Sequence, residues 1–182
     1  IQTEYKEGKS ELLREYKKYG FRDVKIISDS VSLINEKRID INIKIDEGKR
    51  YYFRDISFTG STKYTTEQLN KFLGIKKGEV YDTDRLNQSL SSDPQGADIS
   101  SLYLDDGYLF FNIQPLETSV QGDSIDVLVK IYEGRQAVIG KVTVVGNTKT
   151  RDHVVLREIY TKPGELFKRS DIIRSQRELA NL

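Results

Sequence analysis

The chain repeats itself at long range, and that repeat limits its folds more than any other feature. "TGSTK" (59–63) returns as "VGNTK" (145–149), and Gly146 minus Gly60 gives 86. "DEGKR" and "YEGRQ" keep the same spacing at Glu47-Gly48 and Glu133-Gly134. So do Gly78-Glu79-Val80-Tyr81 and Gly164-Glu165-Leu166-Phe167, and the strand-like runs "IDINIKIDEG" (39–48) and "IDVLVKIYEG" (125–134). Gly20-Phe21 and Gly107-Tyr108 differ by 87, so one extra residue lies between. An internal period settles the domain count before any local reading, and one this long marks tandem small domains rather than a solenoid. Residues 49–134 are then one complete unit. Residues 1–48 match the C-terminal half of a unit, and 135–182 the N-terminal part of the next.

The complete unit opens with "YYFRDISFTG" (51–60), a strand in which Tyr52, Ile56 and Phe58 share parity. Val138, Val142 and Val144 hold the corresponding places in the next copy, which predicts a strand there too. Gly60 and Gly146 end these strands at a turn. A helix follows, with Thr65 and Gln68 at capping-box spacing, an apolar stripe of Leu69, Phe72 and Leu73, and Gly74 at the end. Gly78 and Gly164 mark the next turn, and Asp82 or Thr83 can cap a second helix carrying Leu86 and Leu90. "SSDPQGAD" breaks that helix, because Pro94 and Gly96 oppose continuation. Helical spacing resumes at Ile99, Leu102 and Tyr103 and stops at Gly107; the first copy runs through Leu12, Leu13, Tyr16 and Gly20 without a break. Two strands close the unit: "YLFFNIQPLETSV" (108–120), then Ile125, Val127, Val129 and Ile131 alternating with Asp126, Leu128, Lys130 and Tyr132. Period 2 with one polar face implies a sheet covered on one side. The fold class is α+β, each unit running βααββ, with two helices packed on one face of a three-stranded mixed sheet.

Charge is balanced, 29 basic against 28 acidic residues, with no clustered cationic excess for nucleic acid. No apolar run is long enough to span a bilayer as a helix. The opening "IQTEYKEGKSELL" has no apolar signal-peptide core, and reads as the interior of a longer protein. With no cysteine, thiolate chemistry is excluded. The single histidine, His153, falls on a predicted first helix where the preceding copy has Glu67, a solvent-facing type of position. "EGKS" (7–10) imitates the end of a phosphate loop but lacks its first glycine, since position 3 is Thr. Asp93, Asp98, Asp105 and Asp106 lack the alternation of a calcium loop and read as helix caps and turns. No catalytic, cofactor-binding or metal-binding residue is assigned, and the chain is read as not an enzyme.

One segment reads as a binding site. In "LFFNI" (Leu109, Phe110, Phe111, Asn112, Ile113) either strand alternation turns one phenylalanine away from the core. On an edge strand, free N–H and C=O groups can pair with an extended guest. Packing of that ring against the next domain is the other reading, and the two are compatible. Gly60, Gly146, Gly78, Gly164 and Gly107 are assigned as structural turns. Glu47, Gly48, Glu133 and Gly134 are assigned to inter-domain linkers too short for free flexing.

This order of elements resembles the POTRA (polypeptide-transport-associated) domain. The residues that carry the likeness are "SFTGSTKYTTEQL", "KKGEVYDTDRL", "DDGYLFFNI" and "VLVKIYEG". Tandem copies at this spacing resemble the periplasmic arm of outer-membrane protein assembly factors of the BamA family, and the interrupted second helix resembles the Bacteroidetes type. The resemblance implies a non-enzymatic scaffold on the periplasmic face of the bacterial outer membrane. It implies as partners unfolded outer-membrane proteins, accessory assembly lipoproteins and the protein's own C-terminal membrane β-barrel, with no nucleic acid and no cofactor. Two-partner secretion and TamA-like transporters also carry POTRA copies and are the alternative; a small α+β enzyme is the alternative of a different class.

Overall fold

The computed structural model describes residues 2–35 and 38–181. Ile1, Glu36, Lys37 and Leu182, which the ranges 1–48 and 135–182 include, lie outside the described residues. In chain order the elements are α1 (Gln2–Lys18), β1 (Lys25–Asn35), β2 (Arg38–Asp46), β3 (Tyr52–Thr59), α2 (Thr66–Leu73) and α3 (Thr83–Asn87). A π-helical turn (Gln88–Ser92), α4 (Ile99–Leu104), β4 (Asn112–Gln121), β5 (Ser124–Tyr132), α5 (Asp152–Arg157) and α6 (Arg169–Leu179) follow. β1 and β2 form an antiparallel pair, with Leu33 opposite Ile39 and Lys25 opposite Asp46. The other sheet is mixed and three-stranded, in the order β3-β5-β4, with helices packed against it.

By compactness the chain gathers into two units. The first takes Ile1–Ile56, Ile75–Leu86 and Glu117–Leu128. Its core holds Val24, Tyr51, Phe53, Ile56, Ile75, Tyr81, Leu86, Ile125 and Val127, all buried. The second takes Ser57–Gly74, Asn87–Leu116 and Val129–Leu182. Here Leu69, Leu73, Leu90, Ile99, Tyr103, Val129 and Ile131 are buried, and α2 and the π-turn both pack on α4.

Local chemistry explains most element boundaries. Thr65 accepts from the Gln68 amide while the Gln68 side chain accepts from the Thr65 amide, the reciprocal pair of a capping box. Gly74 ends α2 in the left-handed conformation, φ 67°. Asp82 caps the next helix by accepting from the Arg85 amide at 2.9 Å. That helix does break at Pro94: Asp93 is extended, as a residue before proline prefers, and its carboxylate accepts from the Gln95 and Ala97 amides. Asp98, fully buried, starts α4 by accepting from Ser101 N and also holds Asp93 N. Asp98 therefore caps a helix and Asp93 holds the turn before it.

Two expected elements differ. Val138, Val142 and Val144 do not form a strand: Val138 makes one bridge to Leu166, and the rest has no strand beside it among the described residues. A strand exists only through a partner, and none of the described strands supplies one. For the same reason the apolar row of β2 is not covered. Ile39 and Ile41 stay exposed, and with Ile43, Val31 and Tyr5 they line an open apolar cleft beside α1. Their counterparts Ile125 and Val127 are buried.

Candidate protein-binding edge

The sheet order leaves β4 outermost. The opposite edge is occupied where it starts: Tyr52 bridges Val80, Phe53 N donates to Glu79 O, and Gly78 N donates to Phe53 O. Nothing among the described residues pairs with the outer side of β4, so Asn112–Gln121 presents an unmatched row of backbone groups.

The expected site straddles the start of that edge. β4 begins at Asn112, so only Asn112 and Ile113 of the five residues belong to it. Leu109, Phe110 and Phe111 are not strand residues, which corrects the expectation. Gly107, at φ 88°, turns the chain, and tight local bonds (Leu109 N to Gly107 O, Phe111 N to Tyr108 O) hold it in a turn. The two rings do diverge. Phe111 stacks on Tyr103, centroids 4.3 Å apart, while Phe110 is 66% exposed. Burial pushes the Tyr103 hydroxyl up to about 12, and Ser61 hydrogen-bonds it at 2.8 Å.

Glu133, assigned to a linker, has a further role that spacing alone did not reveal. Its carboxylate accepts from the amides of Thr62 (2.9 Å) and Lys63 (3.1 Å) and from the Thr62 hydroxyl. Burial alone would raise its pKa, but these bonds hold it below the ordinary glutamate value. "YEG" and "TGSTK" are thus two halves of one contact. Gly60 is required beside it, since at φ 86° a Cβ would overlap the Ile131 carbonyl.

Two joints repeat the same bonds at the sequence period. At the first, within the first unit, Tyr51 N donates to Gly20 O (2.8 Å), Tyr81 N to Tyr51 O (2.9 Å) and Arg50 Nε to Tyr19 O (2.9 Å). At the second, within the second unit, Ala137 N donates to Gly107 O (2.8 Å), Phe167 N to Ala137 O (2.9 Å) and Gln136 Nε2 to Asp106 O (2.8 Å). Gly20, at φ 89°, makes room for the Tyr51 carbonyl, to which an added Cβ would come within 2.8 Å. At the first joint the Tyr51 hydroxyl donates to Asp23 (2.6 Å), and the Tyr81 hydroxyl and Arg22 both donate to Glu117 (2.7 and 2.6 Å). Burial raises the Tyr81 pKa further from neutrality; the Arg22 and Tyr81 bonds lower that of Glu117 against its burial. Sequence reading missed this cluster, because Tyr, Arg and Glu at these positions follow no short motif.

Among the described residues no group of three or more His, Cys, Asp and Glu could hold a metal, and no helix is long and apolar enough to cross a membrane. His153 lies exposed on α5.

Comparison with known proteins bears on the fold and the period together. The POTRA family, described as a surface antigen variable number repeat, matches residues 51–134 and again 137–182. The chain belongs to the POTRA family, as tandem copies of the kind that BamA-family proteins carry. Among its relatives is the outer membrane protein assembly factor BamA of Nitratidesulfovibrio vulgaris, 32% identical over 88% of this chain and 20% of that one. The BamA of Neisseria meningitidis is 27% identical over 85% of this chain and 20% of its own length. The chain thus spans about a fifth of the relatives it matches. Among solved structures, Haemophilus influenzae BamA POTRA3-5 superposes with a TM-score of 0.76 at 15% identity, covering 97% of this chain and 68% of that one.

Proposed function

We propose that this chain is a stretch of the periplasmic arm of an outer-membrane assembly factor, made of half, whole and half POTRA units at 1–48, 49–134 and 135–182. Its central unit receives unfolded outer-membrane proteins by strand addition at β4. The observation that carries the reading is the free outer edge of β4 in a sheet whose other edge is occupied where it starts. Pairing through main-chain groups suits many clients, since it does not read side chains. Leu109 and Phe110 present apolar surface just before the strand, where an apolar client residue can rest. Accessory lipoproteins and the protein's own β-barrel are the further partners of this reading, and no catalysis is involved.

The test replaces Asn112 by Pro and measures photo-crosslinking of the chain to an unfolded β-barrel protein. Strand addition is expected to weaken several-fold while circular dichroism stays native. Unchanged crosslinking in a folded Asn112→Pro variant rules this edge out.

A further inference from the structure

The two joints share their backbone bonds but not their side chains. Counting along the period, Tyr51 of the first joint becomes Ala137 in the second, and Tyr81 becomes Phe167. Across the 87-residue spacing Arg22 becomes Leu109 and Asp23 becomes Phe110. Each hydroxyl, guanidinium and carboxylate that these four positions supply to the first joint is therefore missing from the second. The Tyr51–Asp23 bond has no counterpart in Ala137 and Phe110. Phe167 carries no hydroxyl with which to reach a carboxylate. The helix side differs less. Arg14 pairs with Asp84 at 2.6 Å at the first joint, while at the second Asp105 accepts from Ser170 N at 2.8 Å and Arg169 reaches Ser101 at 3.4 Å.

We infer that the first joint is a fixed elbow and the second the moving one: the second swings about its helix contacts and opens on the side of Phe110. Three physical points support this. Hydrogen bonds to charged groups hold geometry more firmly than neutral ones, and the first joint has several on one carboxylate pair. The first joint's tyrosines are buried, 7% and 3% exposed, whereas their counterparts Ala137 and Phe167 are only half-buried, so the second joint gathers fewer contacts. The backbone bonds common to both joints keep the swing hinge-like rather than free.

The chain has no cysteine, so paired spin labels can be placed without background. Cysteines at exposed Ser32 and Lys76 report the first joint, and at exposed Lys71 and Thr148 the second. Pulsed dipolar measurement is expected to give a narrow distance distribution across the first joint and a broad one across the second. Tyr51→Phe with Tyr81→Phe, which keeps both rings, should broaden the first to match the second. Phe110→Asp with Ala137→Tyr should narrow the second. Equal widths in the unaltered chain, or a first joint left narrow by the tyrosine changes, overturns the inference. The first outcome needs no variant, so it does not depend on any variant folding.

Discussion

At the residue scale the polar contacts of the first joint converge on Glu117 and Asp23. Arg22 and Tyr81 donate to Glu117, and Asp23 beside them opposes it. Its pKa is lowered in the folded protein from the ordinary 4.5, so its ionised form stabilises the fold. That contribution is complete above the unfolded value and disappears as pH falls through the lower folded value. Tyr81→Phe removes one donor and should cost about 1 kcal/mol at neutral pH. It should also flatten the acid limb: urea unfolding of the native chain and the variant should converge as pH falls below the ordinary glutamate value of 4.5 and through the lower folded one. A constant difference across that range would show that the hydroxyl does not act through the Glu117 charge.

At the scale of elements, the sequence revealed what depends on local chemistry. The Thr65 box, the Gly74 end of α2 and the break at Pro94 were all legible, because each follows from one side chain and its neighbours. What depends on a partner was not. β2 alternates more strictly than β5, yet Ile39 and Ile41 are exposed where Ile125 and Val127 are buried, since nothing described here covers them. The valines 138, 142 and 144 have strand parity, yet beyond the single Val138–Leu166 bridge none of the described strands pairs with them. At "LFFNI" the apolar run concealed a turn, because Gly107 and the stacking of Phe111 on Tyr103 act before the ladder starts. The repeated turn gives an internal control. Gly60 and Gly146 both have positive φ, 86° and 81°, but only Gly60 faces a carbonyl. Gly60→Ala should therefore cost more, about 3 kcal/mol, against about 1 kcal/mol of backbone strain for Gly146→Ala. Thermal unfolding of the two variants checks the order; equal losses would mean that the Ile131 approach is not limiting.

For the whole molecule the period organises everything else. The same bonds recur at both joints, and the Glu133 contact ties the end of one unit to its own first turn. Among the described residues the three-stranded sheet leaves the outer side of β4 without a strand beside it, and that edge is where the proposed strand addition is tested. The most direct measurement is amide hydrogen exchange on the chain with and without an unfolded outer-membrane β-barrel protein diluted from urea. The expected result is new protection at alternate amides of Asn112–Gln121, with β3 unchanged. Saturating client that leaves every β4 amide exchanging as before would contradict strand addition at this edge.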